Sequence, residues 1–141
     1  MAFTGNYSCN TLRSGLISGS FNFSTDTFKL ALYTNAATLN AQTTEYSATG
    51  EASGGDYAPG GQLVTATVSS GINANQQNVA YVDFSSPSWT GAITARGALI
   101  YNSTTGAAVC VLDFGSDKTA TNTFTVTFPA ATSTAAVIRL N

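Results

Sequence analysis

The chain of 141 residues has the length of a single domain, and its 43% of hydrophobic residues is enough for one compact core. Charged residues make up only 9% and the net charge is −2, so the many lysines and arginines needed to bind a nucleic-acid backbone are missing. Histidine is absent, which excludes Ser-His and Cys-His nucleophile pairs and histidine-based metal sites.

Residues 1–25 are predicted to form an N-terminal arm. Phe3 and Tyr7 are large aromatic residues in a segment without a regular pattern. In such a terminal segment aromatic rings either tuck under the domain or reach a neighbouring protein. The start of the chain has neither a basic stretch nor an apolar stretch of the signal-peptide type, so we expect a protein made in a cytoplasm, with no membrane partner.

A short helix is predicted over residues 11–18, with Asn10 as its N-cap. Leu12, Leu16 and Ile17 fall on one face of this helix, which is the face expected to pack on the domain. Gly15 and Gly19 are expected to keep the helix short.

Beyond residue 26 the hydrophobic period is two, which indicates strands. The predicted strands cover residues 28–33, 62–68, 79–84, 93–101, 107–114, 123–128 and 135–140. Residues 93–101 and 107–114 flank a short Gly-containing turn and are predicted to pair as an antiparallel hairpin. We therefore predict an all-β sandwich domain over residues 26–141, wired as a jelly roll or Greek key.

The first and the sixth predicted strands show the alternation most clearly. Phe28, Leu30 and Leu32 are expected to face the core, and the residues between them to face solvent. Phe124 and Val126 alternate with threonines in the same way, and Pro129 is expected to end that strand. Phe128 is expected to face the core together with Phe124 and Val126. In the first strand, the residues expected to face solvent are Lys29, Ala31 and Tyr33.

Residues 34–61 are rich in Gly, Ser, Thr and Ala and are predicted to form a long crossover or an exposed excursion. Tyr46 and Tyr57 lie in this segment, and exposed tyrosines on a polar loop make a plausible contact surface for a partner. Trp89 lies in a predicted loop that contains Pro87, and two interpretations stay open: a platform for a partner or a sugar, or a ring that folds back over the core. The second is favoured, since large aromatic rings are mostly buried.

Neither the cysteines nor the acidic residues form a recognisable site. Cys110 lies in an apolar run and is expected to be a buried free thiol, while the role of Cys9 stays open, cross-linking of copies included. Residues 113–118 lack the ligand ladder of a calcium loop, and no spacing pairs two carboxylates for glycoside hydrolysis. We expect no catalytic residue, no metal and no cofactor.

Several linked segments resemble the jelly-roll cement, or decoration, proteins of tailed-bacteriophage capsids. They are Asp26-Thr27-Phe28-Lys29-Leu30-Ala31-Leu32-Tyr33-Thr34, Tyr46-Ser47-Ala48-Thr49-Gly50-Glu51, Tyr57-Ala58-Pro59-Gly60-Gly61, Phe84-Ser85-Ser86-Pro87-Ser88-Trp89-Thr90, Ala95-Arg96-Gly97-Ala98-Leu99-Ile100-Tyr101, Val111-Leu112-Asp113-Phe114-Gly115 and Thr125-Val126-Thr127-Phe128-Pro129. The resemblance covers nearly the whole β region, in order and spacing. It implies a non-enzymatic virion protein on the capsid exterior that bridges major capsid proteins and pairs with a second copy of itself.

The expected contact set comprises Phe3, Tyr7, Tyr46, Tyr57 and Trp89, together with an exposed sheet edge. On this hypothesis, removing residues 2–8 weakens attachment to capsids without unfolding the domain. The alternative function is a receptor-binding or carbohydrate-binding jelly roll on a phage fibre or surface, in which Trp89 and the loop tyrosines stack on sugars.

Overall fold

A computed structural model describes residues 3–128, 132 and 136–140 of the chain. Ten strands and one helix follow one another in these residues. They are β1 (Tyr7–Ser8), α1 (Asn10–Ser18), β2 (Phe28–Tyr33), β3 (Gln62–Val64), β4 (Ala66–Ile72), β5 (Asn78–Phe84), β6 (Ser88–Thr90), β7 (Ile93–Asn102), β8 (Ala108–Ala120), β9 (Thr123–Thr125) and β10 (Ile138–Leu140).

The strands form antiparallel sheets that pack on one another. A five-stranded sheet has the order β1-β8-β7-β2-β3, a three-stranded sheet has the order β10-β5-β4, and β6 pairs with β9. Apolar side chains from all three sheets meet in one cluster, the sandwich core, represented by Leu30, Phe84 and Phe124. The predicted all-β sandwich with a short N-terminal helix is confirmed, and its jelly-roll wiring stays a prediction.

The hairpin predicted from residues 93–101 and 107–114 is present as β7 and β8. The two strands pair antiparallel from Ile93↔Ala120 to Tyr101↔Ala108, and β8 runs six residues beyond its predicted end. Between Ala95 and Gly97 the register shifts, and here β8 bulges outward with exposed residues. The hydrophobic pattern stops where β8 leaves the core, so it did not predict this extension.

The segment predicted as one strand over 62–68 divides at Thr65. Before Thr65 the chain pairs with β2 in the five-stranded sheet, and after it the chain pairs with β5 in the three-stranded sheet. The amide of Thr65 bonds the Ser85 hydroxyl at 2.8 Å, and the Ser85 amide bonds the Thr65 carbonyl at 3.0 Å. A period of two is the same in both sheets, so a change of sheet leaves no mark in the pattern.

Two further predicted strands are shorter than expected. Phe124 and Val126 are buried and alternate with exposed threonines as predicted, but the regular strand is only Thr123–Thr125. The predicted end at Pro129 lies outside the described residues, as does the beginning of the last predicted strand at residue 135. Conversely, residues predicted as a loop around Trp89 form strand β6, which pairs with β9.

Both faces of the five-stranded sheet are buried, which corrects the predicted alternation of β2. Ala31 is 0% and Tyr33 only 1% exposed, although both were expected to face solvent. They belong to a second cluster, the cover core, on the face of the five-stranded sheet that points away from the sandwich core. It consists of Phe3, Cys9, Ala31, Tyr33, Ala37, Leu39, Leu99, Tyr101, Ala108 and Val111. Segment 34–61 and the N-terminal residues supply its outer layer.

Helix α1 is close to its prediction but differs in its cap and its buried face. It begins at Asn10, and Cys9 occupies the N-cap position without a side-chain hydrogen bond, so Asn10 is not the cap. Leu12 is buried, whereas Ile17 is 90% exposed and does not share the buried face. The helix ends at Ser18, and Gly19 caps it with a φ of 77°, a left-handed conformation that glycine adopts without strain.

Candidate partner-contact surface

Of the two N-terminal aromatic residues, one is buried and the other is partly exposed. Phe3 is 0% exposed and packs in the cover core, so its ring tucks under the domain rather than reaching a neighbour. Tyr7 pairs with Val111 as part of β1, and its hydroxyl lies 2.7 Å from that of Thr4. The Asn6 side chain accepts a bond from the Asp113 amide at 2.6 Å. Strand β1 of the arm is therefore an edge strand of the five-stranded sheet.

The loop tyrosines converge on one carboxylate instead of standing out from the surface. The hydroxyls of Tyr46 and Tyr57 donate to the two oxygens of Glu51, at 2.8 Å to Oε1 and 2.6 Å to Oε2. The Gly60 amide also donates to Oε2 at 2.8 Å, and the Tyr57 hydroxyl accepts the amide of Leu32. Both rings are half-buried, which corrects the expectation of exposed tyrosines.

Two tyrosines from the sheet extend this arrangement, which we call the Glu51 cluster: Glu51, Tyr33, Tyr46, Tyr57 and Tyr101. Tyr33 donates to the Ser47 carbonyl at 2.7 Å, and Tyr101 donates to the Gly60 carbonyl at 2.6 Å. The rings of Tyr46 and Tyr101 stack with centroids 4.8 Å apart. These bonds tie the middle and the C-terminal end of segment 34–61 to the sheet beneath it, so the cluster acts as a clamp.

Burial holds the hydroxyls of the Glu51 cluster in their neutral form. It raises the pKa of Tyr33, Tyr57 and Tyr101, and the pKa of Tyr46 to about 12. The nearby Glu51 acts in the same direction, since a negative neighbour disfavours a second negative charge. A tyrosine hydroxyl can donate to the carboxylate only in its neutral form, so the raised pKa values and the hydrogen bonds to Glu51 favour the same protonation state.

Trp89 folds back over the core, as the favoured interpretation predicted. It is 4% exposed and lies between the ring of Tyr57, at a centroid distance of 5.5 Å, and that of Phe124, at 6.5 Å. Stacking on a sugar requires an aromatic face at the surface. Trp89 in this position provides no such platform.

The two cysteines are free and buried. Burial raises the pKa of Cys9 to about 11 and also raises the pKa of Cys110. Cys9 is 0% exposed within the cover core, so a cross-link to a second copy would first require the arm to leave its place. The expectation of a buried thiol at Cys110 is confirmed.

The exposed apolar side chains lie elsewhere than predicted. Val68 on β4 is 49% exposed and Leu140 on β10 is 56% exposed, and both line a groove of about 500 Å³. Leu16, Phe21 and Ile138 contribute to the walls of the same groove. The register places Val68 opposite Val82, which pairs in turn with Ile138, so this face of the three-stranded sheet extends beyond the core. The sequence did not predict this surface, because apolar residues that face the core and apolar residues that extend past its edge give the same alternating pattern.

Two of the charged residues, Arg96 and Asp113, form an ion pair. Arg96 Nη2 lies 3.1 Å from Asp113 Oδ1, with both side chains almost buried at the register shift of β7 and β8. Among residues 3–128, 132 and 136–140, no group of three or more potential metal ligands comes together. No helix in this part of the chain has the length and apolar character needed to cross a membrane.

Comparison with known protein families, with curated proteins and with solved structures finds no match to this chain.

Proposed function

We propose that this protein is a non-enzymatic structural component of a tailed-bacteriophage virion, a cement protein on the capsid exterior. The observation that carries the proposal is where the resembling segments lie. They supply β2, most of β7 and all five residues of the Glu51 cluster, which are the parts that clamp segment 34–61 onto the sheet. A clamped, nearly uncharged β-sandwich suits a protein whose task is to resist force between neighbouring subunits.

The Val68–Leu140 groove is the surface we propose for attachment to the major capsid protein. The two side chains are apolar and about half exposed, whereas all five aromatic residues first expected to make contact are buried or half-buried. An exposed apolar patch of this kind marks a protein-protein contact. Binding that occurs only to the assembled shell stabilises the shell by mass action, and many copies add avidity. Pairing of the protein with a second copy remains part of the proposal.

Reconstitution tests this function. Purified protein is mixed with DNA-filled heads that lack it, and bound protein is measured by co-sedimentation. We expect saturable binding, and electron cryomicroscopy of the product should place the sandwich over more than one capsid subunit. No binding to heads, with folded protein confirmed by circular dichroism, would overturn the proposal.

Matched variants locate the contact. Val68→Glu and Leu140→Glu place a charge in the proposed contact, where an unpaired buried charge is costly, so we expect about a 100-fold loss of affinity. Thr105→Glu adds the same charge in the exposed β7–β8 turn and should bind like the parent chain. Equal losses for all three variants would show that added charge, rather than this groove, controls binding.

A further inference from the structure

The N-terminal arm covers the outer edge of β8. Strand β1 lies opposite β8 over two residue pairs. On one side of this pairing the Cys9 amide donates to the Val109 carbonyl at 2.9 Å, and on the other side the Asn6 side chain accepts the Asp113 amide at 2.6 Å. The backbone groups of this edge therefore find their partners in the arm.

The start of the arm is held by a ring in a fitted slot. Phe3 is fully buried, and its ring occupies the space where a side chain at Gly97 would lie. The β8 edge and this slot together form an acceptor site. The site takes an extended segment that carries an aromatic ring and, three positions later, a side-chain carbonyl, which is the chemistry of Phe3 and Asn6.

The backbone of the arm is attached to the sheet by few contacts. Strand β1 makes two residue pairs, fewer than any other strand of its sheet. A cavity of about 160 Å³ lies where β1 meets β8, with Ser8 and Cys110 in its lining. One extended residue, Cys9, connects β1 to α1. The arm is therefore the part of this sheet that can leave by movement about a single connection.

An open arm would leave an edge that pairs readily with another strand. Residues 107–112 are all apolar, with no charge and no proline, which is the composition of a strand-pairing segment. Every copy of the chain carries both this edge and the arm that fits it. Two open copies can therefore satisfy both edges by exchanging arms, since the contacts that form equal the contacts that were lost.

We infer that the arm is exchangeable: the β8 edge and the Gly97 slot accept the arm of a second copy in place of the chain's own arm. This inference rests on the proposed function for the pairing of two copies, and it deepens that proposal by naming the mode of pairing. An incoming arm needs only the space that the chain's own arm already fills.

Disulfide trapping tests the exchange. Bonded and non-bonded pairs alternate along antiparallel strands, so the Cys9 bond makes Ser8 and Cys110 a non-bonded pair with Cα atoms about 4.5 Å apart, within disulfide range. One chain carries Cys9→Ala and keeps Cys110. A second chain with a different tag carries Ser8→Cys, Cys9→Ala and Cys110→Ala. The two are refolded together from urea at high protein concentration and then oxidised.

We expect a cross-linked heterodimer, at least about 10-fold more abundant than with Thr105→Cys in place of Ser8→Cys, because a disulfide requires cysteines held at this spacing. Thr105 lies in the exposed β7–β8 turn and controls for random oxidation. A single chain with Ser8→Cys, Cys9→Ala and its own Cys110 should close the same disulfide internally. Internal closure without heterodimer above the Thr105→Cys level would overturn arm exchange, and failure of both cross-links would overturn the acceptor site.

The internally closed chain provides a second readout. Its arm is locked by the disulfide, so after oxidation it should sediment as a monomer under conditions in which the same chain, reduced, forms dimers. Equal dimer formation in the two states would place the pairing on another surface and overturn the inference. Binding to heads takes no part in these measurements, so their failure would leave the capsid role standing.

Discussion

The ring of Phe3 lies directly on the backbone of Gly97. A Cβ atom at Gly97 would overlap Cε1 and Cζ of that ring, and it would also meet the carbonyl oxygen of Leu112. Glycine at this position in β7 therefore makes the slot that an N-terminal aromatic residue fills. The arm and the centre of the sheet are one packing unit, although 94 positions separate the two residues along the chain.

Phe3→Ala should destabilise the domain by about 3–5 kcal/mol, the usual cost of emptying a buried phenylalanine site. Ile17→Ala is the matched control, since that side chain is 90% exposed and its loss should change the free energy of unfolding by less than about 0.5 kcal/mol. Urea unfolding followed by circular dichroism measures both. Equal midpoints for the two variants would show that the Phe3 slot contributes nothing to stability.

Deletion of residues 2–8 should destabilise the domain, contrary to the expectation from sequence that it leaves the fold intact. The deletion removes Phe3 from the cover core and β1 from the edge of β8. We expect the thermal midpoint to fall by at least as much as in Phe3→Ala. An unchanged midpoint would restore the view of the arm as a separable attachment segment.

Thiol labelling should report the position of the arm. Cys9 lies in the arm and is buried in the cover core, with its pKa raised to about 11, so a disulfide reagent at neutral pH should react slowly. In a Cys110→Ala background, Phe3→Ala should speed labelling of Cys9 at least about 10-fold, because opening of the arm becomes easier. Equal labelling rates with and without the Phe3 ring would show that access of the reagent to Cys9 does not depend on the packing of Phe3.

Tyr57→Phe should cost more stability than Tyr46→Phe. Both variants remove a donor to Glu51, but Tyr57 also accepts the Leu32 amide, which would be left unpaired. Each lost bond to the carboxylate costs about 1.5–3 kcal/mol, and an orphaned buried amide adds about 1–3 kcal/mol. Urea unfolding of the two single variants decides the order, and a larger effect of Tyr46→Phe would contradict the hydrogen-bond assignment.

Stability should fall at alkaline pH. The pKa of Tyr46 is raised to about 12 from an ordinary 10.0, and those of Tyr33 and Tyr57 are raised as well. Such hydroxyls ionise first in the unfolded chain, so their contribution is complete below pH 10 and is lost as pH rises towards the folded pKa. Urea midpoints should be level up to about pH 9 and then decline. A level profile above pH 10 would contradict the neutral cluster.

The Arg96–Asp113 pair should be strongly coupled. Its side chains are 10% and 12% exposed, and Asp113 Oδ1 also accepts the Gly115 amide at 2.8 Å. Arg96→Met leaves the nearly buried Asp113 carboxylate without its ion-pair partner and should lower the free energy of unfolding by about 3–5 kcal/mol. The double variant Arg96→Met/Asp113→Leu should recover much of that loss, and a double-mutant cycle measures the coupling. Purely additive effects would show that the two groups act independently.

The strands and the sandwich core were largely predictable, because alternation such as Phe124-Thr125-Val126 records which side chains face apolar surroundings. The covered second face was not. Tyr33 and Ala31 occupy positions that alternation assigns to solvent, and nothing local shows that segment 34–61 returns to cover them. The Glu51 cluster escaped prediction for the same reason, since its bonds join residues whose contact depends on the path of a long loop.

The sequence by itself determined the all-β class, the β7–β8 hairpin and the burial of Cys110, and it favoured the folded-back Trp89, since each follows from local hydrophobic pattern or residue size. Only the tertiary structure decided that Phe3 belongs to the cover core and that the loop tyrosines bind Glu51. It also decided that Val68 and Leu140 extend past the sandwich core and are exposed. Those features depend on which distant segments meet. A pattern of near neighbours determines which side chains need burial, while chain topology determines what buries them.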